Sequence, residues 1–181
     1  MRVFLTFVLW YAFLAKVHTT SAQQYTVAGG YISFYSSAPL EDIQAVNQRV
    51  SSLFNSTSGE IAFSVPVNGF EFKKKLMQEH FNEKYLESEK FPRATFTGRI
   101  SGYDASVSGL QTVQAVGKLT IHGVTRKVNV PGTIARQGEN LIMKSKFTVR
   151  LEDYSVSIPK ILRQNIAQQV EVTVDLVFKP R

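Results

Sequence analysis

The 181-residue chain contains no cysteine, one tryptophan and only three histidines. Without cysteine there can be no disulfide staple, no thiol nucleophile, no cysteine metal site and no lipid-modified cysteine at a processed N-terminus. Two of the histidines, His80 and His122, lie beyond the first 22 residues, and they form no H-x-x-x-H or H-x-H pair. The spacing of a zinc site is therefore missing. Also missing are a G-x-S-x-G elbow, a phosphate-cradling glycine loop and a dinucleotide fingerprint, which removes the commonest hydrolase and cofactor templates. Basic residues outnumber acidic ones by 21 to 14, but the charges are interleaved, and no block marks a nucleic-acid-binding chain. The residues assign no catalytic group, no metal and no cofactor. What remains is 44% hydrophobic and 12% aromatic, too rich for a disordered polymer and of a size for one domain with its own core.

Long apolar runs are absent except at the start. Arg2 gives a short basic region, Val3 to Ala15 is apolar except for Thr6, and Thr19-Thr20-Ser21-Ala22 precedes Gln23-Gln24. This order is that of a secretory signal peptide cut after Ala22, leaving one domain over 23–181 and a periplasmic or secreted product. As a membrane anchor the run is too short, since thirteen helical residues span about 20 Å against the ~30 Å hydrocarbon core.

Period-2 alternation dominates the rest. Leu141, Met143, Phe147, Val149 and Leu151 alternate with polar neighbours, as do Val170, Val172, Val174, Leu176 and Phe178. Shorter versions occur at Ile32/Phe34, Ile61/Phe63/Val65, Phe96/Ile100, Leu119/Ile121 and Val128/Val130, separated by turn signals that include Gly29-Gly30 and Pro131-Gly132. About eight antiparallel strands, each with one apolar face, predict an all-β barrel or closed sandwich. Asn68 and Glu71 resemble a capping box, and a short helix is expected over about 71–80. Its apolar face would span roughly 220°, more than one straight helix buries, so a break is expected near Asn82 and a turn at Tyr85–Ser88. Weaker helical pieces are expected at Leu40–Asn47 and Pro159–Gln168.

Three stretches point to a family. Gly117-Lys118-Leu119-Thr120-Ile121-His122-Gly123-Val124-Thr125-Arg126, followed by Lys127-Val128-Asn129-Val130, closely resembles the G-x-L-T-x-H-G-V-T-(K/R) strand-turn-strand of the YceI-like polyisoprenoid-binding family. Tyr85 to Phe96, with Phe91-Pro92-Arg93-Ala94-Thr95-Phe96 at its end, resembles the segment leading into a strand of that family. Phe147-Thr148-Val149-Arg150-Leu151-Glu152-Asp153-Tyr154 resembles its penultimate strand. The likeness covers roughly 60–178. Ser155 departs from it, standing where members commonly carry glycine, and the opening strand lacks the usual D-x-x-H-S beginning.

The resemblance implies a single extended, lipocalin-like antiparallel barrel with one or two short helices near its mouth. It also implies a hydrophobic ligand, a polyprenyl or prenylquinone chain or another lipid, in the lumen. The inward sets then nominate Phe34, Phe63, Phe96, Ile121, Phe147 and Val149 as lining, with Phe72, Leu76 and Phe81 as a helical lid and His80 beside a polar headgroup. Ordinary core packing is the competing explanation for each aromatic. His122, at a hairpin, is expected to be a structural hydrogen-bonding residue. Two other functions stay open. An enzyme could use His80 with a carboxylate, and an empty barrel could act through Lys118, Lys127, Lys144, Lys146 and Arg150 on its outer face. Lys73-Lys74-Lys75 reads as the wet side of a helix or as a transient grip on a membrane surface, and any exposed edge strand leaves room for a homodimer.

Overall fold

The computed structural model describes residues 23–162 and 164–181. The expected leader lies outside the described residues. Ten strands and one short helix follow in order: β1 (Gln24–Ser37), β2 (Asp42–Asn47), β3 (Ser51–Asn55), β4 (Glu60–Pro66), β5 (Glu71–Phe72), α1 (Lys75–His80), β6 (Arg93–Ser101), β7 (Leu110–Ile121), β8 (Val124–Gln137), β9 (Asn140–Arg150) and β10 (Gln169–Pro180). Eight of them form a closed antiparallel barrel in the order β1-β3-β4-β6-β7-β8-β9-β10. The ring closes where β10 pairs back to β1, from Tyr25 opposite Pro180 to Tyr35 opposite Glu171. Closure leaves the barrel without the free edges that an open sheet exposes.

The remaining two strands form a flap. The lower end of β1 pairs with β3 through Gln24–Thr26, and its upper end, Ile32–Ser37, pairs with β2. β2 in turn carries β5, with Ala45 opposite Phe72. The chain then runs directly into α1, so the flap and helix sit together at one end of the barrel. The opposite end is filled by Tyr25, Phe54, Leu141, Leu176 and Phe178, all 1% exposed or less. Over them the Arg136 guanidinium donates to the Tyr103 hydroxyl (3.3 Å).

Several expectations are corrected. Leu40–Asn47 is not helical but holds strand β2, whose inward residues are Ala45 and the fully buried Asn47. The helix spans only Lys75–His80, and Glu71–Phe72 is strand. The proposed capping box does not form: Asn68 lies in a 3-10 turn, and the helix begins after Lys74 without a side-chain cap. No break occurs at Asn82. The helix instead widens into a π-turn over Phe81–Tyr85, and the Leu86 N–H reaches the Phe81 carbonyl (2.9 Å). Phe81 and Tyr85, at the two ends of that turn, both border the barrel's cavity. Among the described residues of Pro159–Gln168 only Lys160–Leu162 is helical, as one 3-10 turn.

Two supposed turns lie inside strands. Gly29-Gly30 lies within β1 just after a bulge at Ala28; Gly30 has φ 104°, and a Cβ there would sit 2.1 Å from the Asp175 carbonyl oxygen. Pro131-Gly132 lies within β8. The Pro131 carbonyl is turned toward β9, where it accepts from the Ser145 hydroxyl (2.6 Å). Both backbone groups of a strand residue face the same neighbour, so proline, lacking an N–H, withholds a ladder bond there. The β8–β9 ladder accordingly begins only at Gly132 opposite Ser145.

Candidate functional site

A cavity of about 660 Å³ runs from the middle of the barrel to the end covered by α1. This volume lies within the range of small-molecule sites. All ten residues nominated from the sequence border it: Phe34 from β1, Phe63 from β4, Phe72 from β5, Leu76 and His80 from α1, Phe81 from the π-turn, Phe96 from β6, Ile121 from β7, and Phe147 and Val149 from β9. The alternation that builds strands also explains their convergence, because every second residue of a barrel strand faces the lumen. Polar neighbours of the cavity are few. Ser33, Ser36, Thr95, Thr133, Lys144 and Ser145 lie along the wall, and Glu41, Lys74 and Asn165 lie at the end near α1. Glu41 and Lys74 form an ion pair (2.5 Å) linking the β1–β2 connection to the start of α1.

The covered end is held by aromatic packing. Phe34, Phe70, Phe72 and Phe81 form one cluster, with Phe81 stacked on Phe34 at 5.5 Å and 5.0 Å from Phe72. Phe70 lies 5.3 Å from Phe34 and 5.7 Å from Phe81. Such ring pairs contribute about 0.5–1.5 kcal/mol each beyond their buried area. This packing, rather than capping, holds the six-residue helix over the lumen.

A second group of residues was not nominated from the sequence. Tyr154, Val156 and Ile158 are buried around Val149, with Tyr85, Leu86, Leu119 and Leu162 packed against them. They follow β9 through the 3-10 turn Leu151–Tyr154. Alternation of Tyr154, Val156 and Ile158 with Ser155 and Ser157 is visible in the sequence, but the intervening turn puts it out of step with β9. Burial raises the phenol pKa values of Tyr85 and Tyr154, and both residues border the cavity.

His122 has the structural role expected of it. Its Nε2 lies 2.7 Å from a Glu87 carboxylate oxygen, its Nδ1 lies 3.3 Å from the Tyr154 carbonyl, and its ring packs edge-on against Phe91 (4.6 Å). Glu87, His122 and Ser155 are the non-glycine residues with positive φ among those described. All three belong to this one clamp, which ties the chain after α1 to the β7–β8 hairpin and to the segment after β9. The left-handed backbone at Ser155 also accounts for the family's preference for glycine there. Replacing His122 with alanine is expected to destabilise the protein by about 2 kcal/mol in urea unfolding, a figure discounted because the Glu87 side chain is 42% exposed. His122→Asn, which tolerates the same backbone, is expected to recover part of that loss.

Among the described residues no group of His, Cys, Asp and Glu is placed to hold a metal ion, and no helix is long and apolar enough to cross a membrane. A capped apolar cavity inside a closed antiparallel barrel is the architecture of a small-hydrophobe binding protein. The YceI-like domain matches residues 19–178, and the chain belongs to that family. Solved structures share the fold at low sequence identity. A polyisoprenoid-binding domain from Saccharophagus degradans, implicated in plant cell wall breakdown, has a TM-score of 0.75 at 17% identity over 87% of this chain and 98% of its own. BcnA of Burkholderia cenocepacia has a TM-score of 0.70 at 21% identity over 81% and 94%. The Campylobacter jejuni YceI protein has a TM-score of 0.56 at 13% identity over 86% and 85%. No curated protein matches the sequence.

Proposed function

We propose that the protein is an exported, non-enzymatic carrier that holds a long isoprenoid-type chain, such as a polyprenyl or prenylquinone tail, inside the barrel. The observation that carries this reading is the cavity itself, filled at one end and lined almost throughout by apolar side chains. At about 30 Å³ per water-sized group it holds roughly twenty methylene-sized groups. Removing these from water contributes roughly 16 kcal/mol gross at ~0.8 each, and lost ligand freedom offsets a large part of it. A net affinity in the micromolar range or tighter follows. Membership of a family that includes a polyisoprenoid-binding domain supports the ligand class, and the leader-like N-terminus supports export.

One feature favours a second reading. Lys118 and Lys127 face each other directly across the β7–β8 ladder on the outer surface, an arrangement that like charges disfavour unless something offsets it. Salt separates the two readings. Binding of retinol, a fluorescent C20 isoprenoid, is expected to change less than about twofold when the ionic strength rises from about 0.02 to 0.5 M, because a lumen ligand is shielded from screening. Failure to bind retinol, with salt-sensitive binding to anionic surfaces instead, would transfer the function to the outer face.

A further inference from the structure

The barrel wall has a gap. β8 pairs with β7 along Val124–Ala135, and β9 pairs with β10 along Leu141–Arg150, but the ladder joining β8 to β9 covers only Gly132–Gln137 and Asn140–Ser145. Above Pro131 the two strands part, and residues 124–131 and 146–150 have no ladder partner in each other. Val128 and Val130 on one edge, and Phe147 and Val149 on the other, border the cavity. Separately, the cavity lining includes Pro131 and Lys144, which are exposed on the outside of the barrel. These two residues border both the lumen and the outer surface at the point where the ladder ends.

The top of this seam is stoppered by the segment after β9. Tyr154 and Val156, each 4% exposed, pack behind it. The segment is held to the β7–β8 hairpin by the Arg126 Nε–H donating to the Asp153 carbonyl (2.7 Å) and by the His122–Tyr154 contact. We infer that the seam between β8 and β9 is the passage through which an elongated apolar chain slides into and out of the cavity. This rests on the carrier reading. Widening the wall here breaks no backbone ladder bond and only side-chain contacts, the Ser145 hydroxyl to the Pro131 carbonyl and those of Arg126 and His122, whereas parting any fully laddered pair breaks several backbone bonds. Passage at the α1 end requires dispersing the four-phenylalanine cluster and the Glu41–Lys74 pair. Pro131 keeps the ladder from extending past Gly132, since it has no N–H to offer β9.

The absence of native cysteine makes a reversible staple specific. Extending the Gly132–Ser145 register would set residue 129 opposite residue 148, and both are exposed. The seam variant carries Asn129→Cys and Thr148→Cys. The control carries Thr97→Cys and Lys118→Cys, exposed partners on the unbroken β6–β7 ladder. A third variant carries Glu41→Cys and Lys74→Cys across the α1 end. Each is bridged with a short bis-methanethiosulfonate, and transfer of bound retinol to excess phosphatidylcholine vesicles is followed by fluorescence. Bridging the seam is expected to slow release at least about tenfold, with recovery on reduction, while the other two bridges leave the rate near that of the parent. Retinol binding by the reduced seam variant establishes that it folds. An unchanged rate with the seam bridged, or a slowdown produced only by the α1-end bridge, would overturn the passage. If the parent takes up no retinol, the carrier reading fails first and the passage with it.

Discussion

Tryptophan in place of Ala115 is expected to weaken retinol binding at least about a hundredfold, close to 3 kcal/mol, while the barrel stays folded. Ala115 lies on β7 opposite Ile100 and borders the cavity midway along the lumen. An indole there would occupy part of the lumen that Ala115 borders and take the place of the ligand chain. Enlarging a side chain in a packed core forces neighbours off their rotamers, but this one enters empty volume. Its N–H lacks a partner there, which costs about 1–3 kcal/mol of stability without removing the fold. Fluorescence titration together with far-ultraviolet circular dichroism separates lost binding from lost structure. Undiminished binding by the folded variant would place the ligand outside the lumen.

Gly117→Val is expected to have the largest effect on stability, a loss of about 3 kcal/mol or more, from overpacking against rigid neighbours. Gly117 and Gly98 face each other across the β6–β7 ladder, and the Phe96 ring lies over both. A Cβ on Gly117 would lie 2.3 Å from the Thr97 carbonyl oxygen and 2.8 Å from the tip of the Phe96 ring. It would also lie 2.7 Å from the Gly98 Cα, and these two backbone groups cannot swing aside even where the Phe96 ring can. At roughly 2–4 °C per kcal/mol for a chain of this length, the melting temperature should fall by about 10 °C. Gly29→Ala provides the comparison, because a Cβ there meets nothing within 4 Å, and little change is expected. Equal losses in the two variants would show that the close approach at Gly117 is not what requires glycine. The glycine that opens the family-like motif thus has a local physical cause, namely room for an aromatic ring against the inner wall.

How far the sequence reveals this fold can be judged strand by strand. β9 and β10 are legible because each has one dry face and one wet face, and their alternation survives almost intact. β2 is not, because its inward positions end in Asn47, a polar residue that breaks the apolar pattern. Asn47 is fully buried only because its amide donates to the Pro66 carbonyl (2.8 Å) and accepts from the Arg49 N–H (2.8 Å), partners that the local sequence does not announce. Pro131-Gly132 reads as a turn by composition, yet tertiary pairing with β7 carries the strand straight through it. The seam is hidden for the same reason.

The candidate site divides in the same way. Its strand-borne members could be named from period 2 alone, since the inward face of a small barrel is also its lumen. Phe70 and Tyr85 sit on turns with no strand period, and the alternation of Tyr154, Val156 and Ile158 is out of step with β9 because a 3-10 turn intervenes. The π-turn is a compromise of the same kind. The sequence shows that the apolar face is too wide for a straight helix, but only packing against Phe34 and Phe72 decides that a widened turn, and not a break, resolves it.

The most direct test is native mass spectrometry of the purified protein, followed by organic extraction and identification of what the barrel releases. One isoprenoid chain per protein molecule is expected, with about twenty carbons of its apolar portion inside the barrel, the number that the lumen volume accommodates. A ligand-free mass that persists after incubation with retinol, prenylquinones and polyprenyl phosphates would contradict the carrier function.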